Sequence, residues 1–286
     1  MFYHHKTFSI LLGILSLLAI VLGGIVYFLA REQTLKVIFL DVGQGDAILI
    51  TEGSNQVLID GGRSGKKLLS QVGRFVPFWD RKIETVIATH PDQDHIGGLI
   101  DLVSSYGVDT FFVTDATSDT ETFAAWQNAI AQNGGEKISV HYGYVVQYPS
   151  GAKLRIIYPF GLVDNKTQKE TNKYGIATIL TAFDKSFLFT ADLDAAQEEQ
   201  LPVQNIGVLK VGHHGSKYST SDIFLEKIMP QDAIVSVGKE NPYGHPAGSV
   251  LLRLHQHNAR VFRTDEQGNI IYACRKNQEK CDVSFD

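Results

Sequence analysis

The 286-residue chain is poor in cysteine, methionine and tryptophan, with two of each. Two cysteines exclude a disulfide-built scaffold and a cysteine-rich structural zinc site. An excess of positive charge is missing too: 26 lysines and arginines face 31 acidic residues, a formal net charge of -5. That balance excludes a globally basic nucleic-acid binder and leaves room only for a local basic groove. Disorder is excluded by the 44% of hydrophobic residues against 20% charged, and the length suggests one or two domains. Histidine, by contrast, is plentiful at ten residues.

One long apolar run stands out. Residues 8–30 carry no charge, and at about 1.5 Å per residue they match a bilayer core of about 30 Å. No small-residue cleavage site follows, which favours an uncleaved single-pass anchor over a removed signal. Lys6, flanked by His4 and His5, favours a cytoplasmic N-terminus and an extracellular soluble part, while Arg31 opposes it. Cys274 and Cys281 bear on the same question. Outside the cell they would close a short disulfide loop, and inside they are unrelated thiols. The chain is thus expected to divide into an anchor with its flank (1–34), a soluble domain (35–273) and a C-terminal tail (274–286).

The soluble part alternates strands and helices. Apolar runs rich in β-branched residues fall at 35–40, 47–50, 56–59, 85–89, 110–113, 154–158, 176–183, 187–189, 208–211, 233–237, 261–263 and 270–272. Helical patterns fall at 96–106, 122–132, 195–201, 221–228 and 248–257. The mixture predicts an α/β sandwich with helices outside two sheets. The polar stretch 164–173 reads as a long mobile loop.

Chemistry gathers where the strands end. The run 85–89 leads into His90, Asp92, Asp94 and His95, four metal-competent side chains within six residues. A turn before a helix needs one such residue, not four. Asp192 follows the run 187–189, His213 and His214 follow 208–211, and His245 follows 233–237 in a Gly/Pro turn. The Gly-Gln-Gly turn at 43–45 lacks the Gly-Lys-Ser/Thr and the helix of a phosphate loop, so it reads as a tight turn lining the site. Arg63, Lys66, Lys67, Arg74, Arg81 and Lys82 lie between two of these loops and either track a polyanion or form a solvated helix face.

In order, Asp60-Gly-Gly, His90-x-Asp92-x-Asp94-His95, Asp192 and His245 resemble the metallo-β-lactamase superfamily. The stretches 41–48, 89–99, 209–216 and 241–246 are similar to the hydrolase domain of ComEC competence proteins, over about residues 35–273. The resemblance implies a metallo-β-lactamase-like αββα sandwich with two divalent metal ions, manganese or zinc, at the sheet edge. It implies that His90 and Asp92 hold one metal and Asp94 and His95 the other. Asp192 would bridge them, His245 would complete the second site, and Asp60 would orient a ligand histidine. Asp94, His213 and His214 become catalytic candidates, with His213 or His214 either binding metal or protonating the leaving oxygen, and Asn172, Ser216 and Lys217 become substrate contacts.

Three departures qualify the match. Asp92 stands where most of the superfamily has a second histidine, Asn172 where a third-motif histidine is usual, and Ala191 where glycine is common. Oxygen donors in place of imidazoles shift preference from zinc toward manganese or magnesium. The many membrane spans of the permease are missing, so translocation is not expected of one anchor. The implied function is a membrane-anchored, metal-dependent phosphodiesterase: a nuclease acting on DNA through metal-activated water. Alternatives are a phosphodiesterase of wall teichoic acid or phosphorylcholine, and a non-catalytic DNA-uptake partner.

Overall fold

The computed structural model describes residues 2–30, 34–162, 170–275 and 280–286. The chain divides into two compact units, Met1–Gln33 and Thr34–Asp286. In the first, helix α1 runs Phe2–Ala30. Its side chains are described over residues 10–25 only, where they are exposed. Among the described residues no helix is long and apolar enough to cross a membrane. The spanning anchor expected at 8–30 therefore lacks structural support. The stretch whose side chains are described is shorter than the roughly 20 residues a span needs, and the side chains at both ends of the run are not described.

In the second unit the strands are β1 (Leu35–Phe39), β2 (Ile48–Glu52), β3 (Asn55–Ile59), β4 (Lys82–Ala88), β5 (Gly107–Val113), β6 (Glu136–Ser139), β7 (Val145–Gln147) and β8 (Lys153–Tyr158). They continue as β9 (Ala177–Ala182), β10 (Lys185–Phe189), β11 (Val208–Lys210), β12 (Asp232–Val235), β13 (Arg260–Arg263), β14 (Ile270–Arg275) and β15 (Lys280–Phe285). The helices are α2 (Gly65–Phe75), α3 (Gln93–Val103), α4 (Glu121–Asn133), α5 (Ala195–Glu198), α6 (Asp222–Ile228), α7 (Gly248–Gln256) and α8 (Thr264–Gln267). An eight-stranded sheet is ordered β15-β14-β1-β2-β3-β4-β5-β6, and a seven-stranded sheet β13-β12-β11-β10-β9-β8-β7.

Strand periodicity explains the layering. On β1, Leu35, Val37 and Phe39 face a core shared with Phe187, Phe189 and Tyr272, between the sheets. Ile38 and Leu40 face the other way, onto Leu68 and Val72 of α2 and Leu99 of α3. On the second sheet Leu188, Leu209 and Val235 pack on Phe224 of α6 and Leu254 of α7. Strands buried on both faces must be apolar throughout, which is why they read as continuous runs. The result is the expected α/β/β/α sandwich.

Some details differ from expectation. Residues 164–169 of the loop expected to be mobile lie outside the described residues, and Thr171–Tyr174 form a 3-10 turn. The expected tail is instead a strand, β15, paired antiparallel with β14, and Cys274 and Cys281 are disulfide-bonded across that pair.

A candidate metal centre at the sheet edge

Each site loop leaves the C-terminal end of a strand: Asp60 after β3, the 90–95 loop after β4, Asp192 after β10, and the His213–His214 loop after β11. Parallel pairing of β3 with β4, and of β10 with β11, brings these ends side by side. Asp60, Ala191, His213 and His214 all hold a positive φ, at 58°, 49°, 48° and 53°. Left-handed backbone at four non-glycine residues costs free energy that the surrounding fold must offset, and such strain clusters at functional sites.

Asp60 organises the first histidines. One of its oxygens accepts from the Thr89 amide at 2.8 Å. The other accepts from the Thr89 hydroxyl at 2.7 Å and from His95 Nδ1 at 2.7 Å. Having donated its proton to Asp60, the Thr89 hydroxyl can only accept from His90 Nδ1, 2.9 Å away. His214 Nδ1 faces two acceptors, the Ser236 carbonyl at 3.0 Å and Asp46 Oδ1 at 3.2 Å. All three imidazoles are thus spent at Nδ1 and present Nε2 to one place.

That place holds Asp192. Its Oδ2 lies 3.2 Å from His95 Nε2, 3.4 Å from His214 Nε2, 3.8 Å from His213 Nε2 and 4.0 Å from His90 Nε2. Asp94 Oδ2 lies 3.6 Å from His214 Nε2. The Nε2 atoms of His90, His95 and His214, with Asp192 Oδ1, are buried without a hydrogen-bond partner. Converging orphaned donors of this kind fit cations. Donor atoms of His90, His95 and Asp192 lie within 4.8 Å of one another, and so do those of Asp94, His95 and His214.

A sequence model of the metallo-beta-lactamase superfamily matches residues 40–239. The chain belongs to this superfamily. It is 30% identical over 269 residues to ComE operon protein 3 of Bacillus subtilis, an alignment covering 83% of this chain and 33% of that one. It is 30% identical over 245 residues to Recombination protein 2 of Haemophilus influenzae, covering 84% and 29%. The chain therefore spans about a third of the length of these curated relatives. The crystal structure of the metallo-beta-lactamase fold protein YhfI from Bacillus subtilis superposes with a TM-score of 0.56 at 14% identity, covering 85% of this chain and all of that one. At that identity the likeness speaks for the fold.

Against the superfamily's pattern, the expected residues fall into two groups. His90, Asp94, His95 and Asp192 converge, with Asp60 behind them. His214, expected either to bind metal or to serve as an acid, stands among the metal-capable residues with its Nε2 unpartnered. Asp92 Oδ2 is 4.0 Å from His90 Nε2, as Asp192 Oδ2 is, but Asp92 is in none of the metal-capable groups found among the described residues, and its Oδ1 accepts from the Thr171 hydroxyl at 2.5 Å. The His245 ring lies 5.8 Å from that of His213, outside the metal-capable groups found among the described residues. Asn172 Nδ2 is 3.4 Å from His213 Nε2, which holds that ring at the rim. Ser216 is buried, its Oγ accepting from the Tyr218 amide, and Lys217 lies over the exposed Tyr218 ring.

The basic residues do not form one groove. Arg63, Lys66 and Lys67 are exposed at the start of α2, on the site side. Lys82 begins β4, eight residues before His90, so about 25 Å of strand separates it from the site. There it pairs with Asp109 at 2.7 Å, and Arg81 lies over Tyr106. Arg74 is bound to Asp286. Sequence reasoning missed the roles of Thr89, Asp46 and Lys210; the one visible signal was a lone lysine inside an apolar strand.

Protonation follows from the packing. Burial disfavours charge on His95, but Asp192 and Asp60 outweigh it and hold its pKa well above the ordinary value. His214 is raised likewise against its burial, by Asp192 and Asp46. Burial and the neighbouring His95 push His90 down. Burial works against ionised Asp192, yet His214 and His95 hold it well below its usual range. A raised histidine stabilises fully below its unfolded pKa near 6.5, and that contribution is lost as pH rises through the folded value. A depressed carboxyl stabilises above about 4, and its contribution is lost as pH falls through the folded value. Thermal melts of chelator-stripped protein should therefore show Tm falling from pH 6 to pH 9; a Tm that rises over that range contradicts the ion-paired cluster.

Behind the His213–His214 loop, burial pushes the Glu198 carboxyl up to about 8 despite an amide hydrogen bond from Thr220. A carboxyl that prefers its proton when folded loses stability as pH climbs from 4.5 to 8. Glu198→Gln copies the protonated form. Its Tm advantage over wild type should grow across that range to the equivalent of a few kcal/mol, measured by paired melts at pH 5 and pH 8.5.

Proposed function

We propose that this chain is a metal-dependent phosphodiesterase acting on nucleic acid. The observation that carries the reading is the convergence of three Nδ1-anchored imidazoles and two carboxylates on one buried, unsatisfied point. His90, His95 and Asp192 would hold one divalent cation, and Asp94, His214 and Asp192 a second. A divalent cation held by these residues would supply water activation and stabilisation of charge on the phosphoryl oxygens. Asp60 fixes His95 directly and His90 through Thr89, so the donors are set before a cation arrives. His213, partly exposed at the rim, would hand a proton to the leaving oxygen once its Nε2 is protonated and turned from Asn172. The relative named Recombination protein 2 favours nucleic acid as the polymer, and manganese or zinc would be the metal. Association with a membrane through the uncharged run of α1 is a further part of the proposal, tested by alkaline extraction of the membrane fraction.

The test is the full chain, stripped and reloaded with manganese or zinc, offered DNA, a small phosphodiester and teichoic acid. Metal-dependent cleavage of DNA is expected. Cleavage of teichoic acid with none of DNA overturns the nucleic-acid reading, and no cleavage of any phosphodiester overturns the enzyme reading. If DNA binds along the α2 side, Lys66→Ala with Lys67→Ala should raise the KM on DNA and flatten its salt dependence. Changing Arg81 and Lys82 together should leave both as they are, and kinetics at two salt concentrations decide between the pairs.

A further inference from the structure

Lys210 is the only buried lysine among the described residues, with no exposed surface at all. It sits on β11 between Leu209 and Val211, both in the apolar layer under α6 and α7. Its Nζ lies 2.8 Å from Asp46 Oδ2 and donates to the Val211 carbonyl at 2.8 Å. Asp46 is equally enclosed, at 2% exposure, on the turn joining β1 to β2. The pair therefore ties the eight-stranded sheet to the seven-stranded one at the site end. The candidate donors divide along that line: His90, Asp94 and His95 follow strands of the first sheet, and Asp192 and His214 follow strands of the second. The free oxygen of Asp46 lies 3.2 Å from His214 Nδ1.

We propose that Lys210 is a positioning residue for the divalent-cation site, acting through Asp46. It holds the carboxylate against His214, which strengthens Nε2 as a donor, and it fixes the spacing between the two sets of donors. The proposal rests on the metal-dependent reading above. For stability alone the pair has little to offer, because desolvating two charges offsets their attraction and an apolar pair packs as well. Removing one partner is different, since it strands a buried charge. The Ser236 carbonyl still holds the His214 tautomer when Asp46 is lost, so what disappears is the charge behind the ring.

The experiment uses the full chain as Lys210→Met, Asp46→Leu and the double variant. Two quantities are read: Tm in chelator, and manganese and zinc affinity by competition with a chromophoric chelator. Each single variant should lower Tm and weaken affinity at least tenfold, the scale of losing a partner behind a metal ligand. The double variant should regain Tm and leave affinity at least tenfold down. It also carries the test if either single variant fails to fold. Recovery of both quantities in the double variant, or wild-type affinity in Lys210→Met, overturns the proposal. A wild-type chain that binds neither cation overturns the metal reading itself, and this proposal with it.

Discussion

Asp192→Ala is expected to abolish hydrolysis and leave the fold standing. The carboxylate is 3% exposed and its Oδ2 lies within 4.0 Å of four imidazole nitrogens. It belongs to two of the metal-capable groups found among the described residues. Losing a partner behind a metal ligand costs about 10- to 100-fold, so losing the shared carboxylate should cost more than about 100-fold in kcat/KM on a small phosphodiester. The three apolar layers do not include residue 192, so the cooperative melt should survive. A cation that binds only the folded chain raises Tm in proportion to its affinity. Wild type should gain Tm on adding manganese or zinc, and the variant should gain far less. Normal turnover in the variant, or an unchanged metal-induced Tm gain, removes Asp192 from the centre of the site.

The interior of this fold was legible because its strands are buried twice over. Runs such as 35–40 and 208–211 become β1 and β11, flanked on both faces by apolar layers. The strands that escaped, β6, β7 and β15, sit at sheet edges. An edge strand has one neighbour and need not be apolar: β6 reads Glu-Lys-Ile-Ser and β7 is three residues long. Helix α2 was hard to see for a related reason. It buries Leu68 and Val72 on one narrow stripe, with Gly65 at its start and Gly73 inside.

The site was legible as a set of residues and less so as a set of distances. Strand-end placement singled out His90, Asp94, His95, Asp192 and His214, whose side chains the fold brings together, but spacing along the chain cannot say which loop folds nearest to which. Asp92, two residues from His90, is drawn toward Thr171, while His214, over a hundred residues away, closes on Asp94 and Asp192. Likewise, the basic residues at 63–82 are near one another in sequence, yet α2 and β4 carry them to opposite ends of the domain. Local periodicity holds no information on such pairings, because they are set by the crossing of two sheets.

Gly45→Ala should cripple both stability and hydrolysis, and it tests why the 43–45 turn is glycine-rich. Gly45 has φ +116°, a conformation that side chains rarely adopt. A Cβ there would lie 2.0 Å from the Asp94 carbonyl oxygen and 3.0 Å from Gly62 Cα, both backbone atoms. Neither can retreat. The Asp46 amide donates to that same carbonyl at 3.2 Å, the Gly62 amide to the Asp46 carbonyl at 2.7 Å, and the Gly61 amide to the His95 carbonyl at 2.8 Å. Strain of about 1–3 kcal/mol adds to overpacking of about 1–3 kcal/mol. Relief must push the turn away from the 90–95 loop, carrying Asp46 off His214 and Asp94 off its neighbours. A displacement of about 1 Å at such a site costs about 100-fold in rate. Gly73→Ala is the control: it lies inside α2 with nothing within 4 Å of an added Cβ, so it should melt at or slightly above wild type. A turn that bound phosphate through its amides would respond otherwise. Gly45→Ala would then raise KM with Tm unchanged, and that pairing of results would restore the phosphate-loop reading that the backbone contacts argue against.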